Sequence, residues 1–435
     1  MKQTKSGTAL FFFAALSSAF SLALLLASCA SASFAVPESR RVPEDFFGIS
    51  PDRTGLREEY MEKLDEFGAV WIRTTIHWND VEPEEGQWRF DSWDEYVDRA
   101  EAANKKIMFI LGFDNPWLYG DRREHRDLTE REIPYFLKYV EQVVGRYRDR
   151  VAAWEIWNEP DWVFWNGSDE HFFALSAAAA KKIRETDPRA VILAGATSRF
   201  SKRFTRGLFD AGAMEHTDGF SIHPYGVNPL DTVRQIDKLQ KLLDEYGYDK
   251  PIWISEVGYS TGPISFCPAD QYPSYIVKTL SGLAARGTVR NAIWYELMND
   301  YNPGEAPDPL NPLRHFGLIY PDRTHKPGAG AFALCAGYLA GAEYRPELPL
   351  REGAPKNITA LYFRAKDGTN VLFLWNNHEG AARLRLAVDG TAEMFRHDIQ
   401  SGRGAALAGG TVLAINREPV VITWTGEGAA RIGRP

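Results

Sequence analysis

Eight short apolar runs recur between residues 46 and 298, each separated from the next by a longer segment. They are FFGIS from Phe46, VWIRTTI from Val70, IMFILGF from Ile107, AAWEIWN from Ala152, VILAGA from Val191, GFSIHPY from Gly219, PIWISEV from Pro251 and AIWYELM from Ala292. Their apolar content is nearly continuous rather than alternating. Strands of that kind must be covered on both faces, as in a parallel sheet flanked by helices. The intervening segments supply the cover. In IPYFLKYVEQVVGRYRDR, residues Ile133, Phe136, Leu137, Val140, Val143, Val144 and Tyr147 repeat at three and four and line one helix face. FFALSAAAAKKIRETDP from Phe172 runs into Pro188, which cannot continue a helix. VRQIDKLQKLLDEYG ends on Gly247, suited to a left-handed helix terminus. Eight strands alternating with helices over about 290 residues predict a closed (βα)8 barrel. An open doubly wound sheet is the competing arrangement, weakened because no glycine-rich phosphate loop follows the first run.

After about residue 342 the pattern changes. LYFRAKDGTNVLFLWNN, ARLRLAVDG, MFRHDI, TVLAIN and PVVITWTG are short alternating runs separated by Asp-Gly and similar turns. They predict a small antiparallel β domain, sandwich-like, over 342–435, with the barrel over 44–341.

The N-terminus reads as an address rather than a fold element. Lys2 and Lys5 precede an apolar stretch from Thr8 to Ala27, the pattern of a secretory signal. Leu26-Ala27-Ser28-Cys29 resembles a bacterial lipobox, in which Cys29 would be lipidated and become the new first residue. The alternative is ordinary cleavage among the small residues Ala30 to Ala35. Ala30 stands where enterobacterial lipoproteins retained at the inner membrane carry aspartate. Residues 1–29 are therefore read as signal and 30–43 as linker. The expected location is outside the cytoplasm: anchored by lipid to the outer membrane or cell surface, or else periplasmic or secreted. No later run is long enough to span a bilayer. Of the remaining cysteines, Cys267 and Cys335 fall in a loop and a helix and are expected to be unpaired, with a disulfide as the alternative.

Composition narrows the partner class. The net charge is −8, with no basic run, which argues against nucleic acid. The 13 tryptophans fit either a large core or a surface that binds flat rings. No zinc-type cysteine or histidine spacing is present. Neither a cofactor nor a dedicated metal cluster is expected, and the chain is read as a monomer.

In a barrel of this kind, functional residues project from the C-terminal strand ends. The second run ends near Arg73, His77 and Trp78; the fourth at Asn158-Glu159-Pro160; the sixth at His223-Pro224-Tyr225; the seventh at Ser255-Glu256. The eighth carries Trp294 and Glu296. Asn-Glu-Pro alone is a weak signal. Glu159 closing the fourth strand together with Glu256 closing the seventh is a strong one.

This pattern resembles the clan A glycoside hydrolases. IRTTIHWNDVEPEEGQWRFDSWDEYV and the trailing β domain look most like family 39 and its exopolysaccharide-degrading relatives, with family 5 the next closest. Many clan members place a histidine at the third strand end, where this chain has Phe113-Asp114-Asn115; Asp114 or Asn115 would then face substrate. The resemblance implies a retaining β-glycosidase acting on an extracellular poly- or oligosaccharide. Glu256 would be the nucleophile and Glu159 the acid, its carboxyl raised by burial and by the charge of Glu256. Arg73 and Tyr225 would donate to Glu256, Asn158 would hold a sugar 2-hydroxyl, and Trp294 would form the platform under the ring.

His77 joins the substrate-binding set. His223 is either a substrate contact or a satisfied core histidine, and Glu296 either binds hydroxyls or caps the barrel. Trp117, Trp162 and Trp165 either stack on sugar or pack the loops. Glu155 shares a face with Glu159 by simple alternation, and would then need a cation. Two other readings stand beside the enzyme: a non-catalytic carbohydrate-binding surface lipoprotein, and a structural lipoprotein that leaves the polar strand ends unexplained.

Overall fold

The structure, a computed structural model, describes residues 40–51, 57–119, 127–346, 356–388, 393–426 and 430–433. The expected signal over 1–29, Cys29 included, and most of the 30–43 linker lie outside the described residues.

Eight parallel strands close into a barrel. They are β1 (Phe47–Ile49), β2 (Trp71–His77), β3 (Lys106–Gly112), β4 (Ala153–Ile156), β5 (Ile192–Thr197), β6 (Gly219–Ile222), β7 (Ile252–Val257) and β8 (Val289–Trp294). Each coincides with one of the apolar runs. The eighth differs in phase: it starts three residues before Ala292, so Tyr295 and Glu296 lie beyond its end. Arg290 and Asn291 broke the apolar pattern there, yet Arg290 is held in place by two 2.7 Å donations to Asp45.

The barrel interior is layered. Trp71, Met108, Ala153, Leu193, Trp253 and Ile293 fill one layer with apolar volume. Gly219 faces the same space; a Cβ there would lie 2.5 Å from the Trp253 indole, so the strand stays bare to admit the ring. Two residues further along β2, β4, β6 and β7 stand Arg73, Glu155, Ser221 and Ser255, all buried. The core thus turns polar as it approaches the mouth.

Outside run helices α1 (Glu58–Glu66), α2 (Asp91–Ala102), α3 (Ile133–Arg146), α4 (Asp169–Thr186), α5 (Lys202–Asp210), α6 (Pro229–Tyr246), α7 (Tyr272–Ala284) and α8 (Gly328–Leu339). The Ser168 hydroxyl caps α4 by accepting from the His171 N–H, and Asn228 caps α6 through Asp231. Gly247, at φ 73°, ends α6 in the left-handed region. Cys267 and Cys335 are buried free thiols.

The C-terminal part forms two antiparallel sheets with a shared core. The larger has the order Arg40–Arg41, Glu343–Tyr344, Ile358–Arg364, Asn370–Asn376, Val420–Trp424, Met394–His397, Gly404–Leu407; the smaller has Val412–Ile415, Ala382–Val388, Ala430–Gly433. Arg40–Arg41, just ahead of the barrel, belongs to this sheet. The other face of the larger sheet, with Leu361, Phe363, Phe373 and Trp375, joins the main core that includes Phe332 and Leu339 of α8. Gly330 of α8 lies directly against the Gln400 backbone, leaving no room for a side chain. A seam this apolar couples the two units. The chain is expected to unfold in a single calorimetric transition; two separated peaks would contradict that coupling.

Candidate active site

Arg73 is the hub of the barrel mouth. It is 3% exposed, so its charge must be compensated within the protein. Its Nε donates to Glu155 Oε2 at 2.7 Å, Nη1 to Glu256 Oε2 at 2.8 Å and Nη2 to Asn158 Oδ1 at 2.7 Å. Nη2 also lies 3.0 Å from His223 Nε2. Glu155 therefore has the cation its position demanded. Burial pushes its carboxyl up, but Arg73 and the residues around it outweigh burial and hold it below the usual range.

β4 stops at Ile156 because the backbone turns. Trp157 and Glu159 adopt φ of 67° and 44°, left-handed values unusual for such side chains. The turn is fixed by the Glu159 N–H donating to Ala196 O at 2.8 Å, and Asp161 accepts from the Ser198 N–H at 2.8 Å. It sends Trp157 back into the core, its indole N–H donating to Phe164 O at 2.9 Å, and brings Glu159 to the mouth. A run of tryptophans thus ends in a carboxylate because the wall they pack ends there.

Glu159 is 5% exposed. Burial raises its carboxyl to about 7, with Arg73 pulling it down and Glu155 adding to the rise. Glu155, rather than the Glu256 expected from the sequence, is the carboxylate that adds to this rise. Glu159 Oε1 lies 2.9 Å from His223 Nδ1. Glu256 accepts from Arg73 and, at 2.5 Å, from the Tyr225 hydroxyl. Burial and then Glu256 keep that hydroxyl well above its ordinary range, so it remains a donor.

One oxygen each from Glu159 and Glu256 and one His223 nitrogen lie within 4.8 Å of one another. Among the described residues this is the one cluster spaced like metal ligands. The donor set fits a cation poorly. Both His223 nitrogens already face protein partners, and the Arg73 charge occupies the place beside Glu256.

Several residues stand elsewhere than the sequence indicated. Trp294 is fully buried between the barrel and its helices, with its N–H 3.2 Å from the Tyr272 hydroxyl and its ring among Tyr259, Tyr272 and Phe332. It is a core residue, not a platform, because Ile293 takes the inward position on β8. The next inward residue, Tyr295, was overlooked. It is half-buried and packs on Phe316, which also touches Tyr225. Once the structure turns Ile293 inward, alternation carries the next inward position to Tyr295.

Arg73 and His223 spend their polar atoms on protein groups and position the carboxylates rather than bind substrate. Asn115 is buried and donates to Glu82 O at 2.8 Å. Trp117 and Trp165 give their indole N–H groups to backbone carbonyls of Glu82 and Ser168, which makes them loop-packing residues. Trp162 is 53% exposed at the rim. His77, beside Phe113, and Asn158 are half-buried at the mouth.

Glu296 is buried but lines a cleft of about 590 Å³ shared with Arg57, Glu59, Asn299, Arg314 and Arg323. Behind it, Lys326 donates to Thr261 Oγ1 and His315 O at 2.8 Å each. Burial brings that amine down to about 7, against the pull of Glu296.

Known proteins share the fold. Endo-1,4-beta-xylanase B of Paenibacillus barcinonensis is 25% identical over 202 residues, 41% of this chain and 59% of that protein, so the chain matches little more than half of that relative's length. A family 39 glycoside hydrolase from Bacteroides cellulosilyticus WH2 shares the fold at a TM-score of 0.74 and 20% identity, over 88% of this chain and 81% of that one. A monomeric beta-xylosidase from Caulobacter crescentus CB15 does so at 0.64 and 16%, over 89% and 97%. The resemblance to clan A holds, with family 39 visible in the fold and family 5 in the sequence. The family model for cellulase, glycosyl hydrolase family 5, matches residues 43–272, more than half of the chain, and the chain belongs to that family.

Proposed function

We propose that the chain is a retaining hydrolase of β-glycosidic bonds in xylan-like poly- or oligosaccharides. The observation that carries this reading is the unlike pair at the mouth. Glu159 and Glu256 have oxygens within 4.8 Å, in line with the about 5 to 5.5 Å of retaining pairs and short of the about 6.5 to 9.5 Å that leaves room for a water. Glu256, held by two donors, attacks the anomeric carbon as the bond to the leaving oxygen breaks. Neutral Glu159 gives that oxygen its proton. A water then attacks the glycosyl ester, Glu159 takes the water's proton, and Glu256 departs as carboxylate. Asn158 is the residue available to a sugar hydroxyl beside the bond, and Tyr295 offers the ring face that Trp294 does not.

Support for the sugar comes from the relatives, which are a xylanase and a beta-xylosidase by name. The test is proton NMR of fresh product from a β-linked xylo-oligosaccharide. The first anomer formed is expected to be β; an initial α anomer would falsify the nucleophile role of Glu256.

The location rests on the N-terminal signal. We infer that Cys29 carries a lipid, so Cys29→Ser is expected to shift the protein from the detergent to the aqueous phase on partitioning. Equal partitioning of both forms would rule the anchor out.

A further inference from the structure

Glu159 and His223 meet at 2.9 Å, yet they follow strands that are not neighbours. β5 lies between β4 and β6 and supplies neither group. Adjacent strands run about 4.7 to 4.9 Å apart. The meeting therefore depends on how the end of β5 carries the ends of the other two.

That end is irregular. From Ala194 to Thr197 β5 advances three residues, while β6 advances two, from Phe220 to Ile222. Gly195 and Ala196 absorb the extra residue at φ of 113° and 46°. A left-handed alanine persists only where its surroundings hold it, and four bonds do so here. On the β4 side, Ala196 O accepts from the Glu159 N–H at 2.8 Å, and the Ser198 N–H donates to Asp161 Oδ1 at 2.8 Å. On the β6 side, the Ala196 N–H donates to Ser221 Oγ at 3.0 Å, and Thr197 O accepts from the His223 N–H at 2.8 Å. Each neighbour is thus gripped at the residue that carries the chemistry and at another two positions away.

On the acid's side, the second grip is a side chain. Glu159 O accepts from the Trp162 N–H at 3.1 Å, so Asp161 lies inside the turn that Glu159 opens. Its second oxygen, Oδ2, accepts from the Ser198 hydroxyl at 3.3 Å. One bond between a turn and a strand end leaves a pivot; a second, two residues on, fixes the orientation.

Building on the glycosidase reading, we propose that Asp161 is a positioning residue. By tying the acid's turn to the kinked end of β5, it sets Glu159 against His223 and aims the proton of Glu159 at the leaving oxygen.

The test compares Asp161→Ala, which removes the acceptor, with Asp161→Asn, which keeps it. In Asp161→Asn the amide oxygen accepts from the Ser198 N–H and the NH₂ donates to the Ser198 oxygen. Each is assayed for kcat/KM on xylo-oligosaccharides, which need a proton on the leaving oxygen, and on a dinitrophenyl β-xylobioside, which does not. A melting curve accompanies each assay. Asp161 is half-buried, so water can reach the Ser198 N–H once the carboxylate is gone. If Asp161→Ala does not fold, Asp161→Ser takes its place. A misplacement of about 1 Å can cost about a hundredfold. The acceptor-free variant should therefore lose at least about tenfold on xylo-oligosaccharides and far less on the dinitrophenyl substrate. Asp161→Asn should regain most of that loss. Equal losses on both substrates, no loss on either, or a selective loss that Asp161→Asn shares in full would overturn the positioning role and leave the glycosidase reading intact. If the wild type cleaves neither substrate, the glycosidase reading fails and this role fails with it.

Discussion

Glu256→Gln is expected to leave a folded protein whose turnover is lower by at least about a thousandfold, the scale of losing a group that bonds covalently to substrate. The fold survives because the amide fits the same contacts. Its oxygen accepts from Arg73, and its NH₂ donates to the Tyr225 oxygen once that hydroxyl rotates. Arg73 keeps a full counter-charge in Glu155. Turnover falls because an amide does not attack the anomeric carbon. The measurement is kcat beside a melting curve. A variant that melts like wild type and keeps more than about a tenth of its turnover would remove Glu256 from the chemistry.

Glu159→Gln separates the acid from the nucleophile. An amide has no proton to give, so glycosides with alkyl or sugar leaving groups should lose about 10²- to 10⁴-fold in kcat/KM. Dinitrophenyl glycosides, whose leaving group departs unprotonated, should lose far less and show a burst as the glycosyl ester accumulates. The pH profile carries the same signature. A general acid works in its protonated form, and Glu159 holds its proton up to about 7. Wild-type kcat/KM on a poor leaving group should therefore be retained below about 7 and fall tenfold per unit above it. In Glu159→Gln this alkaline limb should be gone. A limb of unchanged position in the variant, or equal losses on both leaving groups, would assign the acid elsewhere.

Much of the fold was legible because a strand covered on both faces cannot hide its apolar run. β8 was the exception: its first residues include Arg290 and the buried Asn291, and Arg290 is held by Asp45, some 245 positions away. The carboxylates were legible for a related reason, since a charge that closes an apolar strand has few structural excuses. Whether a polar strand end is free for substrate was not legible. Arg73 and His223 consume one another's polar atoms, and only their spatial meeting shows it. The same holds for tryptophans. Trp117, Trp162 and Trp165 look alike in sequence, and their fates are decided by a backbone carbonyl in reach of the first and third. Ile293 and Trp294 are both apolar, so nothing in the sequence says which faces inward.

The short distance between Arg73 and His223 has a consequence for where the reaction's proton can reside. Arginine can only donate, so His223 Nε2 must be an acceptor, and burial foremost keeps the ring neutral. The imidazole hydrogen is then confined to Nδ1, aimed at Glu159 Oε1. That oxygen is an acceptor in every state of the cycle. The proton that neutral Glu159 carries belongs to Oε2, and in the proposed mechanism that same atom would release it to the leaving group and recover it from water. Arg73 thus makes the acid one-sided: it locks a tautomer and closes any relay through the ring, so that both half-reactions share one lone pair.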